Sequence, residues 1–223
     1  MKISKFFHYF SILLLAGSIL IFAIHAFVLP NNVSDVHPLM VIHATAMYAW
    51  YGLVVIQTGL IQRKHFAIHK TLGYFSVVIA LAVLVTGIMI TIYGFKHSES
   101  MLFFSGNSLM LIFFTIFYSL AILFRKHGDT HKRLILFASI AVYIPVAFRT
   151  AALLGDRKYA SIVYLLLILT IAFWEMRTHR KISLTTGLCT FSLIAMVILT
   201  FVLANNPSFT LFVYELFEVR IKE

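Results

Sequence analysis

Ten histidines occur among the 223 residues, and several of them fall into closely spaced pairs. Two pairs share the spacing H-x3-H: His65 with His69, and His127 with His131. Residues four positions apart lie on one face of a helix, and a neutral imidazole is a ligand for zinc or for haem iron. These pairs are the first candidates for a cofactor site.

Three interpretations of this set remain open. In the first, His69 and His131 bind the iron of haem b from two helices, and its propionates lie near a basic side chain from this group: Lys70, Lys132, Arg133. In the second, zinc or iron serves a membrane enzyme that acts on lipid, with Glu175 as a further oxygen ligand beside this set: His65, His69, His127, His131, Asp129. In the third, no cofactor is bound and the histidines meet phosphate headgroups as interfacial cations.

A second polar set is expected at the opposite membrane surface. His43, Trp50 and Gln57 share one face of a predicted helix, and Arg149 follows His131 by 18 residues, which is about five helical turns. An arginine within an apolar run avoids lipid, so it either binds an anion or extends to the headgroups. We predict an outer pocket of His43, Gln57 and Arg149 for a small molecule or quinone. Alternatively, His43 only bonds a neighbouring helix.

The elements that position these residues are predicted from the apolar runs. The chain is 61% hydrophobic and 12% charged, with a mean hydropathy of +0.95. Each crossing of the hydrocarbon core takes about 20 apolar residues. The sequence therefore predicts an all-α, polytopic transmembrane bundle of seven helices: Phe6–Leu29, Leu39–Gln62, Thr71–Phe95, Phe103–Phe124, Leu134–Leu154, Tyr159–Met176 and Ile182–Ala204.

The net charge of +10 follows the same topology. Twelve of the 18 basic residues fall on one side of the predicted bundle: Lys2, Lys5, Arg63, Lys64, Lys70, Arg125, Lys126, Lys132, Arg133, Arg177, Arg180 and Lys181. Five fall on the other side: Lys96, Arg157, Lys158, Arg220 and Lys222. Basic residues concentrate on the cytoplasmic side of membrane proteins, so we expect a cytoplasmic N-terminus and no nucleic-acid partner.

The chain reads as one membrane domain over residues 1–204, with its informative core at 39–155. We expect the first helix to remain as an anchor, because its apolar run exceeds that of a signal peptide. No internal repeat is expected. The tail at 205–223 has apolar residues at helical spacing, which favours an external amphipathic helix along the interface.

Four motifs occur in order: H43-A with Q57, H69-K-x-L-G73, G128-D-x2-H131-K-R, and Arg149. In this pattern the chain resembles an uncharacterised bacterial family of multi-pass membrane proteins with H-A…Q, H-R-x-x-G, G-D-x-x-H-R and terminal Arg elements. The resemblance covers roughly residues 40–152 and implies a bacterial cytoplasmic membrane. Lys70 and Lys132 stand where that family has Arg, and a lysine lacks the planar fork of an arginine.

A looser resemblance is to b-type transmembrane cytochromes, which place haem-ligating histidines on alternate helices of a small bundle. His69 and His131 fit that arrangement, whereas His43 lacks a histidine partner on the fourth helix. The sequence therefore leaves three functions open. They are a haem-binding redox protein, a metal-dependent membrane enzyme, and a non-enzymatic transporter, assembly factor or partner subunit that binds no cofactor.

Overall fold

The structure is a computed structural model that describes residues 2–28 and 37–218. The described residues form α-helices, joined by short loops and one 3-10 turn, and contain no β-strand. The helices have these bounds: α1 Lys2–Val28, α2 Pro38–Gln62, α3 Phe66–Ser98, α4 Met101–Leu123, α5 Gly128–Ala141, α6 Ile144–Leu153, α7 Ala160–His179, α8 Leu184–Ala204 and α9 Pro207–Leu216.

Among the described residues six helices are long and apolar enough to cross a membrane, and α5 with α6 makes a seventh if this bent pair is one span. The predicted all-α transmembrane bundle is therefore confirmed, with six to seven spans. Large apolar side chains cover its outer surface; Val78 is 66% exposed and Phe173 is 72% exposed. Lipid is the solvent that such a surface fits. We name the end with the α2–α3 and α4–α5 loops the inner end, after the predicted topology, and the opposite end the outer end.

The fifth span is broken, although the sequence predicted one helix over Leu134–Leu154. Helix α5 ends at Ala141 and α6 begins at Ile144, with a bend of 51° between them. Pro145 explains the break, because it has no N–H and its ring collides with the carbonyl four residues earlier, that of Ala141. The prediction that His131 and Arg149 share one face of a straight five-turn helix is therefore wrong.

Aromatic side chains of other helices compensate the break. Tyr164 Oη on α7 donates hydrogen bonds to the carbonyls of Ile140 and Ala141, at 3.0 and 3.3 Å. Tyr51 Oη on α2 donates to the Ser139 carbonyl at 3.1 Å. A carbonyl that is freed within a membrane needs such a partner, because no water is available there. Helix α5 is thus held at the centre of the bundle by its neighbours.

The end of the chain forms a short helix at the outer end. Helix α9 places Val213 against Phe95, and Tyr214 Oη donates to the Glu99 carbonyl at 3.0 Å. The predicted helix in the 205–223 tail is therefore present. Its position along the membrane interface remains a prediction, and residues 219–223 lie outside the described part, as does most of the predicted Pro30–Pro38 loop.

Candidate functional site

His69 and His131 lie opposite one another at the inner end. Each follows an N-cap histidine by one turn: the N–H of His69 donates to the His65 carbonyl at 3.0 Å, and that of His131 donates to the His127 carbonyl at 2.9 Å. Their ring centroids are 6.5 Å apart and the ring planes cross at 88°. Two helices that are distant in sequence therefore bring two imidazoles together, as the sequence suggested.

One backbone contact fixes the tautomer of His131. Its Nδ1 lies 2.8 Å from the Ala121 carbonyl oxygen on α4. A carbonyl only accepts, so Nδ1 carries the hydrogen and Nε2 keeps its lone pair. Metal-ligating histidines commonly hold their second ring nitrogen in this way, which orients the ring. The sequence offered no indication of this contact, because the acceptor is a main-chain atom.

The surroundings of His69 include two polar atoms that lack partners. His69 Nδ1 and Gln57 Oε1 are buried and have no hydrogen bond to any described residue. The Gln57 amide lies 3.9 Å from the point that a Cβ on Gly73 would occupy, one turn beyond His69. Buried polar atoms are almost always paired, so such orphans mark a place where a ligand is expected.

Gln57 corrects the predicted outer pocket. It follows His43 by 14 residues on the continuous helix α2, which separates them by about 21 Å along the axis. Gln57 therefore lies with the inner histidines, near the start of α3, whereas His43 lies near the outer start of α2. Both residues were expected in one pocket because they share a helical face, but a shared face does not determine depth in the membrane.

The ligand set proposed for zinc or iron does not come together. Among the described residues, no group of three or more His, Cys, Asp or Glu side chains is placed to hold a metal ion. His65 and His127 are exposed N-cap residues, and Asp129 pairs with Lys132. Glu175, considered as a further oxygen ligand, is engaged elsewhere.

Glu175 and Arg133 form a buried ion pair between α7 and α5. Arg133 Nε lies 2.5 Å from Glu175 Oε1, and the two residues are 8% and 1% exposed. Glu175 also accepts from the Ser183 N–H at 2.8 Å, which ties in the start of α8. Breaking such a pair is strongly unfavourable, because one charge remains buried alone. Arg133 is therefore engaged in this buried pair, and its predicted place near a propionate stays a prediction.

The outer candidates have partners of their own. His43 Nδ1 lies 2.9 Å from Thr86 Oγ1 on α3, as expected if His43 ties two helices together. The Arg149 guanidinium lies over the Phe22 ring on α1, 4.1 Å from its centroid, and also donates to the Pro145 carbonyl. A joint pocket of His43 and Arg149 for a donor or quinone remains a prediction.

Comparison with known proteins adds no assignment to this geometry. A scan against protein-family models, a search of curated proteins and a search of solved structures gave no match. The functional argument therefore depends on the site itself.

Proposed function

We propose that this protein is a membrane redox protein in which His69 and His131 would hold the iron of a bound haem b. The observation that carries the proposal is the placement of the two rings, 6.5 Å apart between centroids and nearly perpendicular. Bound haem would supply one-electron transfer. The proposed location is the bacterial cytoplasmic membrane, with this site at the cytoplasmic end.

The ring separation agrees with ligation of a single metal atom. A metal–imidazole bond is about 2 Å long, and the ring centroid lies about 1 Å behind the nitrogen, so two axial imidazoles place their centroids roughly 6 Å apart. The 6.5 Å separation is close to that value. A ring contact made only for packing also falls in this range, so the ring separation needs support from the surrounding atoms.

That support comes from the hydrogen bonds around the rings. The Ala121 carbonyl holds the hydrogen of His131 on Nδ1 and leaves Nε2 for a metal. His69 Nδ1 and Gln57 Oε1 remain unpaired beside it. Among the described residues no third His, Cys, Asp or Glu side chain is placed to join these two histidines, whereas protein zinc sites use three or four ligands and haem iron takes two histidines. For this reason we propose a haem-binding redox protein and not a metal-dependent enzyme that acts on lipid.

A second candidate is a non-enzymatic membrane protein, such as a transporter, assembly factor or partner subunit. It is favoured by polar contacts that join helices without forming a site. His43 bonds Thr86, and His8 Nδ1 lies 3.0 Å from Thr58 Oγ1. Interhelical bonds of this kind hold membrane bundles together. The pair of His69 and His131 differs, because no hydrogen bond between the described residues satisfies His69 Nδ1.

The test is the absorbance spectrum of the full chain, purified in detergent from cells supplied with haem. We expect a Soret band that shifts on reduction, and its loss in His69→Ala and in His131→Ala. His43→Ala is the matched control, because it removes an equally half-buried histidine from the outer end and should retain the band. A monodisperse, colourless wild-type protein would contradict the proposal and favour the second candidate.

A further inference from the structure

The two inner loops carry the same residues. Arg63, Lys64 and His65 precede α3, and the next histidine and lysine follow in the pattern R-K-H-x3-H-K; the second copy of this pattern spans residues 125–132. No internal repeat was expected from the sequence, because only the H-x3-H part of each copy was compared. The full pattern matches at five positions with identical spacing.

Both copies fold alike from the first histidine onward, whereas Lys64 before it has a positive φ of 61° that Lys126 does not share. In each, a helix ends at or just before the arginine, and the first histidine becomes the N-cap of the next helix. The backbone angles agree, with φ and ψ of −83° and 62° at His65 and −100° and 81° at His127. Neither side chain caps its helix. The second histidine of each copy supplies one ring of the facing pair, so each copy presents one imidazole and then one lysine.

The two copies differ in the partners of their lysines. Lys132 is held by the Asp129 carboxylate and lies over the Phe7 ring, 5.2 Å from its centroid. The first copy has Ala67 at the position of Asp129. Lys70 is exposed, and within the described part of the chain it forms no ion pair. Lys70 in the first copy is therefore available to bind a ligand, whereas Lys132 in the second copy is held by Asp129.

We infer that Lys70 binds a carboxylate of the ligand held between His69 and His131, and that Asp129 keeps Lys132 from binding a second one. This inference rests on the proposed haem, whose two propionates are its only charged substituents. Carboxylates avoid hydrocarbon, so they face the membrane surface, where the lysine after each histidine lies. A lysine there acts as a point charge toward the carboxylate, without the two-pronged geometry of arginine.

The experiment measures haem binding to the full-length apoprotein in detergent by absorbance titration, beside a parallel titration with haem dimethyl ester, whose propionates are uncharged. Lys70→Met should weaken haem binding by about tenfold, as expected for the loss of a charge-assisted hydrogen bond, and leave ester binding unchanged. The matched control is Lys126→Met, which removes an exposed lysine of the second loop and should change neither titration.

Asp129→Ala makes the second copy resemble the first and releases Lys132. We expect haem to bind several-fold more tightly to this variant, with no change for the ester. Asp129→Asn should give the same result while it keeps a polar side chain in the first turn of α5. Equal effects of these substitutions on haem and on its ester would overturn the inference. Failure of the wild type to bind either compound would instead overturn the proposed haem site itself.

Discussion

His43 at the outer end and His69 at the inner end are both half-buried histidines within long apolar helices, yet their surroundings differ. His43 Nδ1 has a hydroxyl partner on the adjacent helix, Thr86. His69 Nδ1 has no partner in the described structure, although its ring interacts with the Gln57 backbone, and the ring centroid lies 6.5 Å from that of His131. A hydroxyl partner on Nδ1 ties two helices together, whereas a buried Nδ1 without a partner beside a second imidazole is available for a ligand.

The two arginines of the bent span also differ in burial. Arg133 near the inner end is 8% exposed and has a carboxylate partner, Glu175. Arg149 near the outer end is only half-buried, and its guanidinium lies over the ring of Phe22. The inner end is thus braced by a buried ion pair near its two histidines. The variants below test this difference.

The largest loss of stability is expected at the ion pair of Arg133 and Glu175. Arg133→Met leaves the Glu175 carboxylate buried without its partner, and it should lower the free energy of unfolding by about 3–5 kcal/mol. Unfolding in mixed micelles, followed by tryptophan fluorescence, measures this change. The double variant Arg133→Met with Glu175→Leu should recover most of the loss. If the single and double variants are equally unstable, the ion pair does not brace the inner end.

A smaller loss of stability is expected at the break between α5 and α6. Tyr164→Phe removes the hydroxyl that donates to the Ile140 and Ala141 carbonyls, and it should destabilise the protein by about 1–3 kcal/mol. The same micelle assay applies. Tyr74→Phe is the matched control, since Tyr74 is 81% exposed on α3. Identical losses in the two variants would show that the break needs no partner from α7.

The smallest effect is expected at the outer histidine. Thr86→Val removes the hydroxyl partner of His43 with little change in volume, and it should cost about 1 kcal/mol of stability. The haem content measured by absorbance should stay at the wild-type level. A loss of haem in Thr86→Val would show that the outer end contributes to cofactor binding, and it would remove the contrast between the two ends.

Much of the fold follows from the sequence, because runs of about 20 apolar residues have few alternatives to spanning a membrane. The break in the fifth span does not follow from the length of an apolar run. Pro145 is present in the sequence, but a proline within a span either breaks the helix or is accommodated in a continuous helix. Which outcome occurs depends on distant partners such as Tyr51 and Tyr164, and no local pattern reveals those contacts.

The candidate site was predicted in part. His69 and His131 were selected by their side and helix number, and the structure brings their rings together. Gln57 was assigned to the wrong end, because a shared helical face says nothing about depth. The ion pair of Arg133 with Glu175 was not predicted, because a partner 42 residues later in the chain gives no sequence signal. The longer R-K-H-x3-H-K repeat is present in the sequence, and it predicts that the two inner loops lead into their helices in similar ways.

The most direct test of the central claim is the electron paramagnetic resonance spectrum of the oxidised, purified protein. If His69 and His131 held the haem iron together, the two imidazoles would give a low-spin signal. We therefore predict a low-spin signal, which His131→Ala abolishes. A high-spin signal in the wild type, or no haem signal at all, would contradict the proposal that both histidines hold the iron.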